Sequence, residues 1–371
     1  MKIAMIVERF PPDIGGSGTR FYKIAEHLSQ KKYDIDVFTI GSAQPQIKKH
    51  NFNIYRLNLR KLALLPFFES FNRVAFLSFS TFLQFLFRSY DLIDVDVWPF
   101  LHFFLAKIAK PKIPIVVSWN VVWPFSYKRP ISKINEILAY AISKLGTYNI
   151  TVSNFAKKTL QERLGICSEK IEVIPNGIDE EFFKVNLEPQ VGRIIFVGRL
   201  EPQKRLDLTL TAFKIFREKV SSAEFHIIGS GPLYMYLVKM SKKIDGVHLH
   251  GFIPVEKKEE LISQLKKSWV FVSASEFESY GLSIAESLSM GLPVLVTKTP
   301  YNAAINEFVR HNYNGLIVEH NKPIAIANAL EKLYIDQKLW IKLSENAKRS
   351  HFSTWNDVAR KVGEVYKKLI E

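Results

Sequence analysis

The sequence predicts a two-domain α/β fold built on parallel sheets, and three observations predict it. The chain has 371 residues, and at about 100–200 residues per domain that length divides into two. Short β-branched runs alternate with amphipathic helical stretches along its whole length, the pattern of a parallel sheet with crossover helices. A cluster of turn residues then interrupts the pattern near the middle, and the same cycle begins again.

In the first half, Ile3–Val7, Ile35–Thr39, Leu92–Val97 and Ile115–Ser118 read as strands, and Thr19–Gln30 and Phe71–Phe87 as helices. The break is Ile174-Pro175-Asn176-Gly177-Ile178-Asp179, followed by Glu188-Pro189-Gln190-Val191-Gly192. It sets the expected domains at 1–185 and 186–350. In the second half, Arg193–Val197, Glu224–Ile228, Val247–His250, Trp269–Val272 and Pro293–Val296 read as strands. The last segment, 351–371, contains an amphipathic helix, Trp355–Ile370, with Val358, Val362, Val365 and Leu369 on one face.

Composition narrows the class. Hydrophobic residues make up 47% and charged residues 23%, values of a globular protein that exclude disordered, collagenous and coiled-coil chains. A single cysteine, Cys167, rules out an intramolecular disulfide and fits a reducing compartment. The chain enters an apolar strand at once, so no cleavable leader is expected. Net charge is +15, which favours anionic partners: nucleic acid, a membrane surface or a phosphorylated substrate. Residues 31–133 hold 15 Lys and Arg against 6 Asp and Glu.

The same stretch carries the longest apolar run, Leu62 to Phe87. Glu69 and Arg73 lie inside it and argue against a transmembrane span. Arg73, Thr81, Gln84 and Arg88 recur at helical spacing as one polar stripe. The run reads either as a helix packed on the sheet with its wide apolar face or as a monotopic membrane contact, with Leu64-Leu65-Pro66-Phe67-Phe68 as an inserting loop.

The candidate chemistry lies at strand ends. The first strand runs into a loop containing Gly15, Gly16, Ser17 and Gly18, where backbone N–H groups at a helix start suit a phosphate. The third glycine of a dinucleotide fingerprint is replaced by Phe21. The strand Arg193–Val197 runs into Gly198-Arg199-Leu200-Glu201-Pro202-Gln203-Lys204, placing two cations where open α/β sheets bind ligands; such a pair clamps a diphosphate. The next strand ends in Gly229-Ser230-Gly231-Pro232. Glu278 and Glu286 are eight apart, and a helix starting near Gly281 would offer free N–H groups to a phosphate. Asp94-Val95-Asp96 has the form of a metal-binding pair, but it lies at a first-domain strand end and no metal is expected.

In this order and spacing, these motifs resemble the retaining glycosyltransferases of family 4, of the GT-B fold. The likeness runs from Gly15-Gly16 through Pro175-Asn176-Gly177, Gly198-Arg199 with Lys204, Gly229-Ser230-Gly231 and the Glu-x7-Glu pair to Ser289-Met290-Gly291-Leu292-Pro293 and Tyr313-Asn314-Gly315. It implies two Rossmann-like domains facing across a cleft, the terminal helix crossing back onto the first. It implies a retaining, metal-independent hexosyltransferase that uses a nucleoside-diphosphate sugar as donor substrate and needs no cofactor. By the resemblance Arg199 and Lys204 hold the diphosphate, Glu286 the ribose and Glu278 faces the sugar. The backbone of Tyr280, Gly281, Leu282 and Ser283 turns over sugar and phosphate, and Gly229 and Gly231 line the donor. The base stacks near Phe252 and Ile253, and Gly15 and Gly16 close on the donor.

Asn120 stands where the family usually has a histidine, which removes a histidine-based acid–base role. Ser279 and Ala303-Ala304 also depart from common glycines. The expected acceptor is lipid-linked or membrane-proximal, at the inner face of the cytoplasmic membrane, with the protein cytoplasmic and peripheral on an anionic surface. Two other readings stand beside this one. An NAD-dependent oxidoreductase would use Asp34 or Asp36 but leaves Arg199, Lys204 and Glu286 unexplained. A nucleic-acid-binding protein would explain the charge but lacks a recognition signature, and no nucleic-acid partner is expected.

Overall fold

The computed structural model describes residues 1–13, 15–40, 51–57, 79, 81–121, 130–254 and 257–371. The chain forms two units. Residues 1–177 and 355–371 make the first, and residues 178–354 the second.

The first unit holds a seven-stranded parallel sheet in the order β3-β2-β1-β4-β5-β6-β7. Its strands are β1 Lys2–Arg9, β2 Asp34–Ile40, β3 Asn53–Leu57, β4 Leu92–Asp96, β5 Ile115–Trp119, β6 Tyr148–Thr151 and β7 Ile171–Val173. Central strands read as continuous apolar runs because both faces are covered: Ile3 to Val7 are fully buried. Helices Gly16–Ser29, Leu101–Ala109, Pro130–Leu145 and Asn154–Leu164 connect them.

The second unit repeats the plan with six parallel strands in the order β10-β9-β8-β11-β12-β13. These are β8 Arg193–Val197, β9 Glu224–Ile228, β10 Val247–Gly251, β11 Val270–Ser273, β12 Val294–Lys298 and β13 Gly315–Glu319. Its core packs Phe213, Phe216, Phe225, Trp269 and Leu330 between sheet and helices. Both sheets reverse their strand order once, between β1 and β4 and between β8 and β11. Such a reversal opens a crevice beyond the strands' carboxyl ends, where ligands bind.

The units meet the chain eight residues earlier than the expected 185/186 boundary. Ile178 bridges to Thr354, and its N–H donates to Ser353 O at 2.9 Å. Lys348 Nζ donates to Phe183 O and Val185 O at 2.7 and 2.8 Å, so residues 178–185 are fastened to the second unit. The same bridge places 351–354 there too, and the returning segment begins at Trp355 rather than 351. The helix Trp355–Ile370 buries Val358, Val362, Val365 and Tyr366 against the first unit. Gly363 allows the close approach, since a Cβ there would meet the Tyr33 hydroxyl at 3.0 Å.

Most of the Phe-rich run lies outside the described residues. In its described end, residues 81–86 are helical. Thr81 and Phe85 point inward, 2% and 0% exposed, while Leu83, Leu86 and Phe87 face out. The polar stripe drawn through Thr81 is therefore not the solvent face. Phe85 takes the inward position because it completes an aromatic cluster with Phe38 and Tyr90.

Candidate functional site

In the second unit the reversal point is built from loops that follow β8, β9 and β11. Gly229 and Gly231 let the first two loops touch. At Gly229, φ is 145°, and a Cβ would fall 1.8 Å from Gly198 O; at Gly231, φ is 158°, and a Cβ would lie 2.6 Å from Leu200 O. No side chain fits at either position. The approach is held by Gly198 N donating to Ile228 O and Leu200 N to Ser230 O, at 3.0 and 2.9 Å. The loop after β10 joins through Gly229 N and Gly251 O, at 2.7 Å. Phe252 follows, 39% exposed, with Ile253 half-buried beside it.

Arg199 and Lys204 leave this scaffold with carboxylate partners. Arg199 pairs with Glu201, which also accepts from Gln203 Nε2 at 2.9 Å. Lys204 Nζ lies 2.5 Å from Glu278 Oε1, bringing together two residues from opposite sides of the reversal. The loop after β11 is held there by Glu276 N donating to Gln203 O at 2.8 Å. Both pairs keep some exposure, at 30% and 19% for Arg199 and Glu201 and 16% and 14% for Lys204 and Glu278. Two cations are thus assembled at the carboxyl end of the sheet, with carboxylates that compensate their charge.

The helix Leu282–Met290 starts one turn beyond. Gly281 caps it at φ 87°, a left-handed conformation that favours glycine. Its first bonds run from Ile284 N and Ala285 N to Gly281 O, so the N–H groups of Leu282 and Ser283 precede the helical ladder. Residues 282, 283 and 286 are half-exposed, while 284, 285 and 287–290 are buried. Ser283 and Glu286 therefore share the one accessible stripe, three residues apart. The Tyr280 side chain turns the other way, buried against Phe308 at 5.3 Å between ring centroids. Ala304 is buried and Asn302 is fully used: it accepts from Thr299 N and donates to Ser275 O and Thr297 O.

The first unit's reversal point has a different character. Asp96 and Asn120 close β4 and follow β5, 5% and 8% exposed. Asn120 Nδ2 donates to Asp96 Oδ1 at 3.2 Å, and Ser17 supplies a second hydrogen bond to Asp96. Burial pushes Asp96 up to about 7. Asp94 accepts from Ser118 Oγ at 2.7 Å and from the Tyr366 hydroxyl, and burial raises it to about 6. Both carboxylates of the Asp-x-Asp sequence are thus engaged by neutral donors. Arg20, 1% exposed, donates to Pro175 O and Asn176 Oδ1 at 3.1 and 2.9 Å, which gives the Pro-Asn-Gly turn a structural role.

Gly15 and Gly16 open the helix Gly16–Ser29. A Cβ at Gly16 would meet nothing within 4 Å, and at Gly15 it would lie no nearer than 3.7 Å to Arg9. The glycine that packing demands is Gly18, where a Cβ would fall 2.2 Å from Arg9 O. Phe21, at the third position of the incomplete fingerprint, is core. Sequence reading missed Arg20 and Tyr366, whose roles depend on partners far away in the chain, and it named Gly18 in the loop without seeing its packing on Arg9.

Two family models match the chain, "Glycosyltransferase Family 4" over residues 14–182 and "Glycosyl transferases group 1" over residues 177–350. The chain is a group 1 glycosyltransferase with the GT-B fold. That identity sets aside the oxidoreductase and nucleic-acid readings. An uncharacterized glycosyltransferase of Methanocaldococcus jannaschii is 25% identical, covering 100% of this chain and 99% of its own length. The GPI3 subunit of the phosphatidylinositol N-acetylglucosaminyltransferase of Saccharomyces cerevisiae is 26% identical over 98% of this chain and 82% of that protein. Among solved structures, Anabaena HepE in complex with UDP and glucose superposes with a TM-score of 0.76 at 17% identity, covering 99% of each chain. As a glycosyltransferase, the chain transfers a sugar. Among the described residues, no helix is long and apolar enough to cross a membrane.

Proposed function

We propose that this glycosyltransferase takes its sugar from a nucleoside-diphosphate donor, a UDP-sugar in first place, and transfers it with retention of anomeric configuration. The assembly of Arg199 and Lys204 at the strand ends, with Lys204 paired to Glu278 four residues before the helix that starts at Leu282, carries the reading. Cations and a helix N-terminus at one strand-end crevice match the charge that develops on a leaving diphosphate. Glu201 and Glu278 hold the two cations in place and yield them to phosphate oxygens when donor binds. Glu286, on the stripe next to Ser283, accepts the ribose hydroxyls, and Phe252 and Ile253 flank the base.

The bond between the anomeric carbon and the diphosphate oxygen breaks, and a bond to the acceptor hydroxyl forms on the same face. The acceptor's proton passes to the departing phosphate, so no enzyme nucleophile and no metal ion are required. Asn120 orients a hydroxyl; an amide is not a base at neutral pH. The complexes of HepE with UDP and glucose support the donor class.

The acceptor is proposed to be lipid-linked, as the name of the GPI3 relative suggests, with the protein peripheral on the inner face of the cytoplasmic membrane. The exposed Leu83, Leu86 and Phe87 and the basic first half support that placement. The deciding experiment incubates purified protein with a panel of UDP- and GDP-sugars and follows release of the nucleoside diphosphate. Turnover of one donor is expected, and none across the panel would overturn the donor assignment. For the membrane, flotation with anionic vesicles should retain the protein at low salt and lose it with Phe87→Ser. Absence of binding at low salt would replace the lipid acceptor with a soluble one.

A further inference from the structure

The second unit carries a cluster of ligating side chains that the transfer reaction does not use. β10 is the edge strand of its sheet and pairs with β9 in the register His248 to His226. Side chains alternate along a strand, so Glu224, His226, His248 and His250 fall on one face. Phe225, Ile227, Val247 and Leu249 turn to the other and join the core. One ligating atom from each of Glu224, His226 and His248 lies within 4.8 Å of the others. His226 Nε2 is 2.9 Å from Glu224 Oε2, and His248 Nε2 is 3.8 Å from Glu224 Oε1.

We propose that Glu224, His226 and His248 bind a first-row divalent transition ion, Zn²⁺ in first place. Two imidazole nitrogens and one carboxylate oxygen, with a position left for water, are a zinc ligand set, and bonds of about 2.0–2.1 Å place neighbouring ligand atoms about 3.3 Å apart. The 2.9 and 3.8 Å spans end on different oxygens of Glu224; with one ligand atom from each residue the three lie within 4.8 Å of one another, so closure around an ion requires side-chain rotation to shorten the longest span. The nitrogen donors favour Zn²⁺ over Mg²⁺ or Ca²⁺.

The surroundings fit a metal site in two further respects. Metal-ligating histidines use their second nitrogen to fix the ring, and His226 Nδ1 is 2.8 Å from His250 Nε2. His248 and Glu224 remain 46% and 43% exposed, which leaves an open path from solvent. One charge opposes the ion: Arg193 Nη1 lies 3.7 Å from Glu224 Oε2. Its guanidinium also donates to Gln264 at 2.6 Å and Gln190 at 3.3 Å, partners it could keep if Glu224 turned to an ion. A bound ion would clip the edge strand to β9, just before the Gly251-Phe252 loop.

The test titrates metal-stripped, untagged full-length protein with Co²⁺, followed by its visible absorption, then displaces it with Zn²⁺. One saturable equivalent with nitrogen-ligand bands is expected, together with a rise in thermal midpoint on adding Zn²⁺. His248→Ala, at an exposed position that does not threaten the fold, and Glu224→Gln should each remove that equivalent. His250→Ala should weaken it about 10- to 100-fold. Absence of a saturable equivalent would overturn the proposal, as would one that survives both His248→Ala and Glu224→Gln.

Discussion

The two units share one strand order and fill their reversal points in opposite ways. In the second unit the charged groups are formal cations paired with carboxylates at partly exposed loops: Lys204 with Glu278 and Arg199 with Glu201. In the first, Asp94 and Asp96 are buried and satisfied by Ser118, Tyr366, Ser17 and Asn120, all neutral donors. Paired ions that keep some exposure, at 14–30% here, can exchange a partner carboxylate for a ligand's phosphate oxygens without leaving a charge uncompensated. Buried carboxylates held by hydroxyls are a fastening, since removing a donor leaves a desolvated oxygen without compensation. On the proposed reading, the same crevice geometry serves binding in one unit and cohesion in the other, with Asp96 and Asn120 nearest the surface of the fastened set.

The largest expected effect tests the binding side. Arg199→Ala and Glu286→Ala should each cost about 2–5 kcal/mol of transition-state binding, read as a fall in kcat/KM of about 30- to several-thousand-fold. Neither should lower the thermal midpoint by more than a typical surface change, because each side chain sits on an accessible loop or stripe. Near-normal kcat/KM in either variant would remove that residue from the donor site. A large loss of stability would make the second unit's charges as structural as the first's.

The next effect tests the cohesive side. Tyr366→Phe deletes the hydroxyl that bonds Asp94 across 272 residues of chain. The buried carboxylate then loses a partner, which should cost about 1–3 kcal/mol of stability. Nucleotide affinity measured by calorimetry should stay unchanged. An unchanged thermal midpoint would mean that the returning helix is held by its apolar face alone.

How much of this contrast could be read in the sequence follows the range of the interactions. The loop after β8 was legible because glycine, arginine and lysine lie within seven residues of a strand end, and the helix at Gly281 because its glycine precedes an apolar run. The terminal helix was legible from Val358, Val362 and Val365 at helical spacing. β6 and β7 were not. Tyr148-Asn149-Ile150-Thr151 carries two polar residues that are fully buried, and Asn149 is satisfied by Trp119 Nε1 and Lys170 O. The links from Asp94 to Tyr366 and from Arg20 to Asn176 have no local signature at all. Between these extremes lies the edge cluster: Glu224-Phe225-His226 and His248-Leu249-His250 each show period-2 placement, but only the pairing register brings them together.

A smaller effect separates the units by pH. Burial raises Asp94 to about 6 and Asp96 to about 7 from an ordinary 3.8. A carboxyl raised on folding contributes stability that is fully present below its unfolded value and is lost as pH rises through its folded one. These two therefore favour the folded state less and less between about pH 4 and 7. His102 and His226, each lowered to about 4 by burial, work in the opposite direction over that window, so the parent's slope alone does not report the two carboxyls. The difference between the parent and Asp96→Asn isolates the carboxyl. The variant should gain relative stability as pH rises from 4 to 7 in denaturant titrations, whereas a difference independent of pH would show that Asp96 is ionised throughout.

The smallest expected effect is none. If the second unit's cations and helix N-terminus neutralise the leaving diphosphate, EDTA should leave kcat within error of the untreated enzyme. Among the described residues of the first unit, Asp94 and Asp96 already accept hydrogen bonds from Ser118, Tyr366, Ser17 and Asn120. An ion held by Glu224, His226 and His248 would be stripped by the same treatment. Its loss should appear in the thermal midpoint while turnover persists. Abolition of turnover by EDTA with rescue by Mg²⁺ or Mn²⁺ would contradict the proposed chemistry, since Arg199 and Lys204 would then be insufficient for the charge they face. Rescue by Zn²⁺ alone, lost again in His248→Ala, would instead make the edge cluster a structural requirement for donor binding.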